Sequence, residues 1–184
     1  MASLRKALAY SKKKVRPYTR KSRVRQKAYI KAVPNSKIVK FNMGNAKADE
    51  EGKFPFEMRL ISEEKVQIRD NSLESCRMLV NKLMEKEASG QYYFVIKVYP
   101  HHVQRENKLA AGAGADRLST GMTRSFGVTV GRAAIVNAGK EIFYISCENE
   151  KAVRVARKVL AQIKAKVPCK TKIVFSKKEL AISK

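Results

Sequence analysis

The 184-residue chain predicts an α+β fold: a two-layer sandwich of two helices on a mainly antiparallel sheet. Several short segments alternate polar with apolar residues or run apolar, the pattern of strands. Two longer segments repeat apolar residues every three or four positions, the pattern of helices. Two of the strand-like segments flank an Asn-Ala-Gly turn and read as a hairpin. Helices packed on such a sheet give two layers around one core. There is no internal repeat and no sign of a second domain.

Taken in order, Ser36 to Met43 alternates and reads as a strand closed by Gly44-Asn45. Residues 45–53 read as a polar loop. Phe54 to Leu60 puts Phe54, Phe56, Met58 and Leu60 on one face, and a short strand is expected near residues 65–68. Asn71 with Glu74 has capping-box spacing and should open a helix. Its stripe is Leu73, Cys76, Leu79 or Val80, and Leu83, and Ser89-Gly90 should end it. Tyr92 to Tyr99 is apolar on both faces apart from Lys97, so it is expected to be central. Phe126 to Val136 and Glu141 to Cys147 are the expected hairpin. A second helix spans about 149–166, with Val153, Ala156, Leu160, Ile163 and Val167 as core. A last strand covers residues 172–175.

The charge narrows function. The chain holds 40 Lys and Arg against 16 Asp and Glu, a net +24. It is still 44% hydrophobic, which excludes a disordered polycation. Residues 1–48 carry 15 basic residues and no acid, and residues 151–184 carry 11 basic and 1 acidic. A near-neutral body with two basic ends needs a polyanionic partner, and nucleic acid leads. Residues 12–31 interleave Tyr18 and Tyr29 with the cations, which suits phosphate pairing and base stacking. Membrane binding is not expected: that stretch has no coherent apolar face, and no apolar run nears the roughly 18–20 residues of a span. No apolar segment follows the basic start, so no secretory signal is expected. Cys76, Cys147 and Cys169 are odd in number and widely spaced. They suit small core hydrophobes in a reducing cytosol.

Catalytic readings fail. His101 and His102 are adjacent, so on an extended chain they point apart and cannot readily share a metal. Gly112 and Gly114 lack the third glycine of a dinucleotide turn. Gly139-Lys140 is followed by Glu141, so it is no P-loop. No Ser/His/Asp array is visible, and neither a cofactor nor a metal is expected. What remains is residues 101–122, a stretch long enough to be functional in its own right. Its small residues let backbone approach a partner, while Arg105, Lys108, Arg117 and Arg124 supply charge.

At this stretch a resemblance appears. Gly114-Ala115-Asp116-Arg117-Leu118, Thr120-Gly121-Met122 and Phe126-Gly127 resemble the loop of a universal large-subunit ribosomal protein family, called sixteen in bacteria and ten in eukaryotes. The similarity is to the archaeal and eukaryotic branch. Val98 to Val103, Asn107-Lys108, Arg16 to Arg20 and Ile38 to Gly44 also match, so most of residues 15–176 are covered. The eukaryotic cysteines of the N-terminal segment are absent, and Thr123-Arg124 replaces Arg-Gly.

The resemblance implies an α/β-hammerhead-like fold and a non-enzymatic protein of the cytoplasmic ribosome, with an archaeal source. It implies binding to large-subunit rRNA beside the aminoacyl site, near the peptidyl-transferase centre. Its loop would help position tRNA at the aminoacyl and peptidyl sites. Neighbouring ribosomal proteins are expected partners, and 5S rRNA is a further candidate. The expected organisation is a basic rRNA-binding extension (1–34), a single domain (35–176) holding the long functional loop (101–126), and a basic tail (177–184). Expected rRNA-binding residues are Lys12, Lys13, Lys14, Arg16, Tyr18, Arg20, Lys21, Arg23, Arg25, Lys27, Arg124, Arg132, Arg154, Arg157 and Lys158. Expected tRNA-proximal residues are Arg105, Asn107, Lys108, Gly112, Gly114, Asp116 and Arg117. A free-standing RNA chaperone or tRNA-binding factor remains the alternative.

Overall fold

The computed structural model describes residues 8, 10–12, 16–106 and 127–178. Its strands form two antiparallel sheets where the sequence suggested one. β1 (Asn42–Gly44), β2 (Phe56–Ser62), β4 (Tyr92–Ile96), β7 (Glu141–Cys147) and β8 (Thr171–Lys177) make a five-stranded sheet in the order β1-β4-β7-β2-β8. β3 (Val66–Arg69), β5 (His102–Glu106) and β6 (Val128–Val136) make a second sheet in the order β3-β6-β5. The helices are α1 (Ala46–Glu50), α2 (Asp70–Ala88) and α3 (Glu150–Lys164). Helices α2 and α3 pack on each other; α3 covers β2, β7 and β8, and α2 covers β3, β4 and β6. The α+β sandwich is therefore present, with a small second sheet attached.

The main core lies between these helices and the sheets. Met58, Leu60, Leu73, Phe94, Phe143, Ile145 and Leu160 are fully buried there. On α3 the buried positions are Ala152, Val155, Ala156, Val159, Leu160 and Ile163, a regular helical stripe. Val153, expected in that stripe, is only half-buried. All three cysteines are free. Burial pushes the Cys76 and Cys147 thiols up to about 12, which keeps them protonated and inert as packing groups.

Four local expectations change. The strand expected from Ser36 shrinks to three residues, because acids of α2 take the preceding amides. The amide of Lys37 donates to Asp70 Oδ2 at 3.1 Å and that of Val39 to Glu74 Oε2 at 3.3 Å. Glu74 is thereby withdrawn from the expected capping box. The helix starts two residues early, at Asp70, with Arg69 in place of Asn71 at the N-cap and no side-chain cap. The polar loop after β1 contains α1, whose first turn is capped by Asn45 Oδ1 accepting from the Ala48 amide at 3.1 Å. Gly44 makes the turn into it at φ +90°, where a side chain would strike the Tyr92 carbonyl.

The third change is the largest. β6 and β7 do not pair as a hairpin; they belong to different sheets. The turn between them is clamped to the end of β2 instead: Gly139 N donates to Ser62 O at 2.7 Å, and Ser62 N to Lys140 O at 3.0 Å. β7 then runs between β2 and β4, buried along nearly its whole length. A strand apolar on both faces gains more from two paired neighbours than from one. β7 is therefore the centre, and β4, expected to be central, stands between β1 and β7. Fourth, the expected long loop opens with β5, paired to β6 from His102↔Ala133 to Glu106↔Val128.

Candidate nucleic-acid interface

The small sheet carries the basic N-terminal segment. Backbone and side-chain bonds fix it at several points. The Tyr18 amide donates to His102 Nδ1 at 2.9 Å, and the Val103 amide to Tyr18 O at 3.0 Å. Ile30 N donates to Arg20 O at 3.0 Å, folding residues 20–30 into a closed loop that includes the 3-10 turn Arg25–Lys27. Thr129 Oγ1 and Arg132 Nε donate to the carbonyls of Ala32 and Pro34, at 2.8 and 2.6 Å. Ala28 and Ile30 are buried. Further up the chain, Gln67 N donates to Ser11 O at 2.9 Å.

An aromatic and cationic stack completes the attachment. The Arg105 guanidinium lies 3.6 Å from the Tyr18 ring centroid, Tyr18 meets Tyr29 edge-on at 6.0 Å, and Arg20 lies 5.8 Å from the Tyr29 centroid. Such contacts are worth about 0.5–2 kcal/mol each. With apolar and backbone contacts holding the segment, its charges face outward. Lys12, Arg16, Arg20, Lys21, Arg23 and Lys27 are exposed, as is Lys31, which the sequence reading left out. Lys31 has no distinguishing neighbour in sequence; only its place on the docked loop marks it.

Burial sorts the remaining cations into exposed groups and braces. Arg132 is half-buried and holds the Pro34 carbonyl. Arg105 is half-buried against Tyr18. On α3, Arg154, Arg157 and Lys158 are exposed, together with Lys151. A second basic surface thus covers the outside of that helix. Lys13, Lys14, Asn107, Lys108, Gly112, Gly114, Asp116, Arg117 and Arg124 lie outside the described residues. The segment that holds the last seven leaves β5 at Glu106 and re-enters β6 at Val128, which are paired residues. Its root is therefore a two-stranded ladder beside Tyr18 and Arg105. Tyr10 adds a hydrogen bond from its hydroxyl to Glu106.

His102 has a structural position. It is buried, with Nδ1 engaged by Tyr18, and burial, with Arg105 nearby, holds its pKa below the usual imidazole range. It braces the segment as a neutral acceptor. His101 is exposed, with its ring 4.5 Å from that of Tyr99. Among the described residues no group of three or more His, Cys, Asp or Glu is placed to hold a metal ion.

Comparison with known proteins decides the family. The family model described as ribosomal protein L16p/L10e matches residues 13–174. The chain belongs to the ribosomal protein L16p/L10e family. A relative named large ribosomal subunit protein uL16, from Methanococcus maripaludis, is 44% identical over 176 residues, covering 95% of each chain. Proteins of the same name from Archaeoglobus fulgidus and Staphylothermus marinus are 40% and 41% identical, over 88% and 94% of this chain and 87% and 93% of theirs. This L16p/L10e chain is thus a ribosomal protein of the archaeal type rather than an enzyme. Its match begins inside the basic segment and runs into β8, so both basic surfaces fall within the family's length.

Proposed function

We propose that the chain works in the large ribosomal subunit, as the names of its relatives say of them. There it binds rRNA through two basic surfaces and helps position tRNA near the peptidyl-transferase centre. The observation that carries this reading is the division of labour in the N-terminal segment. Tyr18, Ala28 and Ile30 face the protein, while Arg16, Arg20, Lys21, Arg23 and Lys27 face outward. A segment that uses its apolar groups for attachment has its cations free for phosphate. In this reading residues 1–34 and the exposed face of α3 hold rRNA beside the aminoacyl site. Residues 107–126, launched from the braced ladder, approach tRNA. Neighbouring ribosomal proteins and 5S rRNA complete the surroundings.

The test deletes residues 109–114 and measures two quantities: incorporation of the variant into large subunits, and tRNA binding by those subunits. The expected result is normal incorporation with weakened tRNA binding. A variant absent from subunits makes the segment an assembly anchor. Normal tRNA binding removes it from function.

A further inference from the structure

At the far edge of the large sheet, two phenylalanines stand where the core opens to solvent. Phe175 on β8 shares a face with Met58 and Phe56 of β2, because Met58↔Phe175 and Phe56↔Lys177 are register partners. Met58 is fully buried, yet Phe175 is 45% exposed. The two rings are stacked, with centroids 6.1 Å apart and planes 24° apart. Lys177 Nζ lies 5.9 Å from the Phe56 centroid. Across from them, the first turns of α3 contribute Glu150, Val153, Arg154 and Arg157 to a cleft of about 200 Å³. Arg154 and Arg157 are three residues apart and share a helix face. Both are exposed, and among the described residues neither has an ion-pair partner.

The chemistry of this cleft is selective. It is smaller than the roughly 300–1,000 Å³ of a small-molecule pocket, which leaves room for one planar ring. A near-parallel aromatic pair invites a third ring, and stacking on phenylalanine accepts any base. The rim offers two guanidinium groups and an ammonium against the single carboxylate of Glu150. The edge strand carries Lys172 and Lys177, both exposed, which discourages pairing with another protein strand. We infer that this cleft captures one unpaired nucleotide of rRNA, its base stacked on Phe175 and its phosphates held by Arg154 and Arg157. The inference rests on the rRNA-binding reading above and adds a site to it.

The experiment uses the full chain with protein-stripped large-subunit rRNA, and reads base methylation and affinity together. Wild type and Phe175→Tyr should protect the same unpaired nucleotide. Phe175→Leu, apolar but not aromatic, should expose it and weaken binding roughly 5- to 150-fold, the range for one lost base stack, without changing the salt dependence. Arg154→Ala with Arg157→Ala should leave a weaker footprint at that nucleotide and lower the log–log salt slope by about two. This pair lies outside the core, so it decides the matter if Phe175→Leu melts early. Unchanged affinity and an unchanged footprint for Phe175→Leu, with wild type still bound, would overturn the nucleotide site and leave rRNA binding standing. So would loss, in assembled subunits, of a crosslink to a neighbouring protein in place of a nucleotide. A wild-type chain with no footprint at all would overturn the rRNA-binding reading itself.

Discussion

The helix-covered core and the docking of the N-terminal segment on the small sheet are held by different forces. In the first, fully buried apolar side chains dominate: Phe94 and Phe143 meet at 5.6 Å, and Leu60, Ile145 and Leu160 surround the helices. In the second, much of the joining is polar or aromatic: His102 to Tyr18, Arg105 over Tyr18, Gln104 near Gln67, Arg132 to Pro34. Val128 and Val130 of the small sheet remain exposed. Apolar burial is cooperative and non-directional, so the core should unfold as one unit. A latch of separate directional contacts can open locally. The basic segment sits on the part of the fold that yields most easily, which suits a surface that adjusts to RNA.

The strongest way to break this contrast is Phe143→Ala. A fully buried aromatic at the centre of β7 should cost about 3–5 kcal/mol, read by chemical denaturation with all probes shifting together. A change confined to the small sheet would remove the distinction.

Acid separates the two regions next. Glu57 lies buried under the large sheet's outer network. It accepts from Tyr144 at 2.7 Å and Arg59 at 2.6 Å, with Lys178 at 3.6 Å. Burial alone would raise its pKa, but these hydrogen bonds and charges together hold it below its ordinary 4.5. Its contribution is present above pH 4.5 and lost as pH falls through the depressed value. His102 is also depressed, from an ordinary 6.5. The unfolded or unlatched imidazole therefore takes up a proton first, and latch stability declines as pH falls below about 6.5. Amide exchange at residues 18–30 should accelerate between pH 6.5 and 5 while the α3 amides stay protected. Simultaneous loss of protection would show one cooperative unit.

Tyr18→Ala sharpens the latch itself. It removes the Arg105 and Tyr29 contacts, a cost of about 1 kcal/mol. Proteolysis within residues 20–31 should quicken several-fold, with global denaturation barely moved. Equal cleavage rates for variant and wild type would assign attachment to the backbone bonds alone.

The smallest stability effect belongs to Arg16→Ala, Lys21→Ala and Arg23→Ala combined. Exposed side chains should cost under about 0.5 kcal/mol each. Binding to rRNA should instead lose about three units of log–log salt slope. A clear drop in melting temperature would mean that these cations also hold the fold.

Much of this organisation was legible along the chain. The 3.6-residue stripe placed α2 and α3 within a few residues, alternation placed β2, β6 and β7, and the charge count marked both basic surfaces. Those signals are local: periodicity reports which face is buried, and charge density reports a polyanionic partner, whatever the topology. The motif Gly114 to Met122 carried the family resemblance, because a motif is read from residue identity rather than from a distant contact. Other features depended on residues far apart in sequence. Glu74 gave up capping to bind the Val39 amide, while Asp70 took that of Lys37. The turn at Gly139 was claimed by Ser62, so an apparent hairpin was split between two sheets. Tyr18 became a brace through Arg105 and His102, and Arg132 a clamp for Pro34. Phe175 shares a sheet face with the fully buried Met58, and the edge position of β8 exposes it. The sequence alone thus determined which groups must be buried and where the positive charge gathers. The tertiary structure decided which partner satisfied each backbone and side-chain bond, because competing partners of similar energy are separated only by where the whole chain places them.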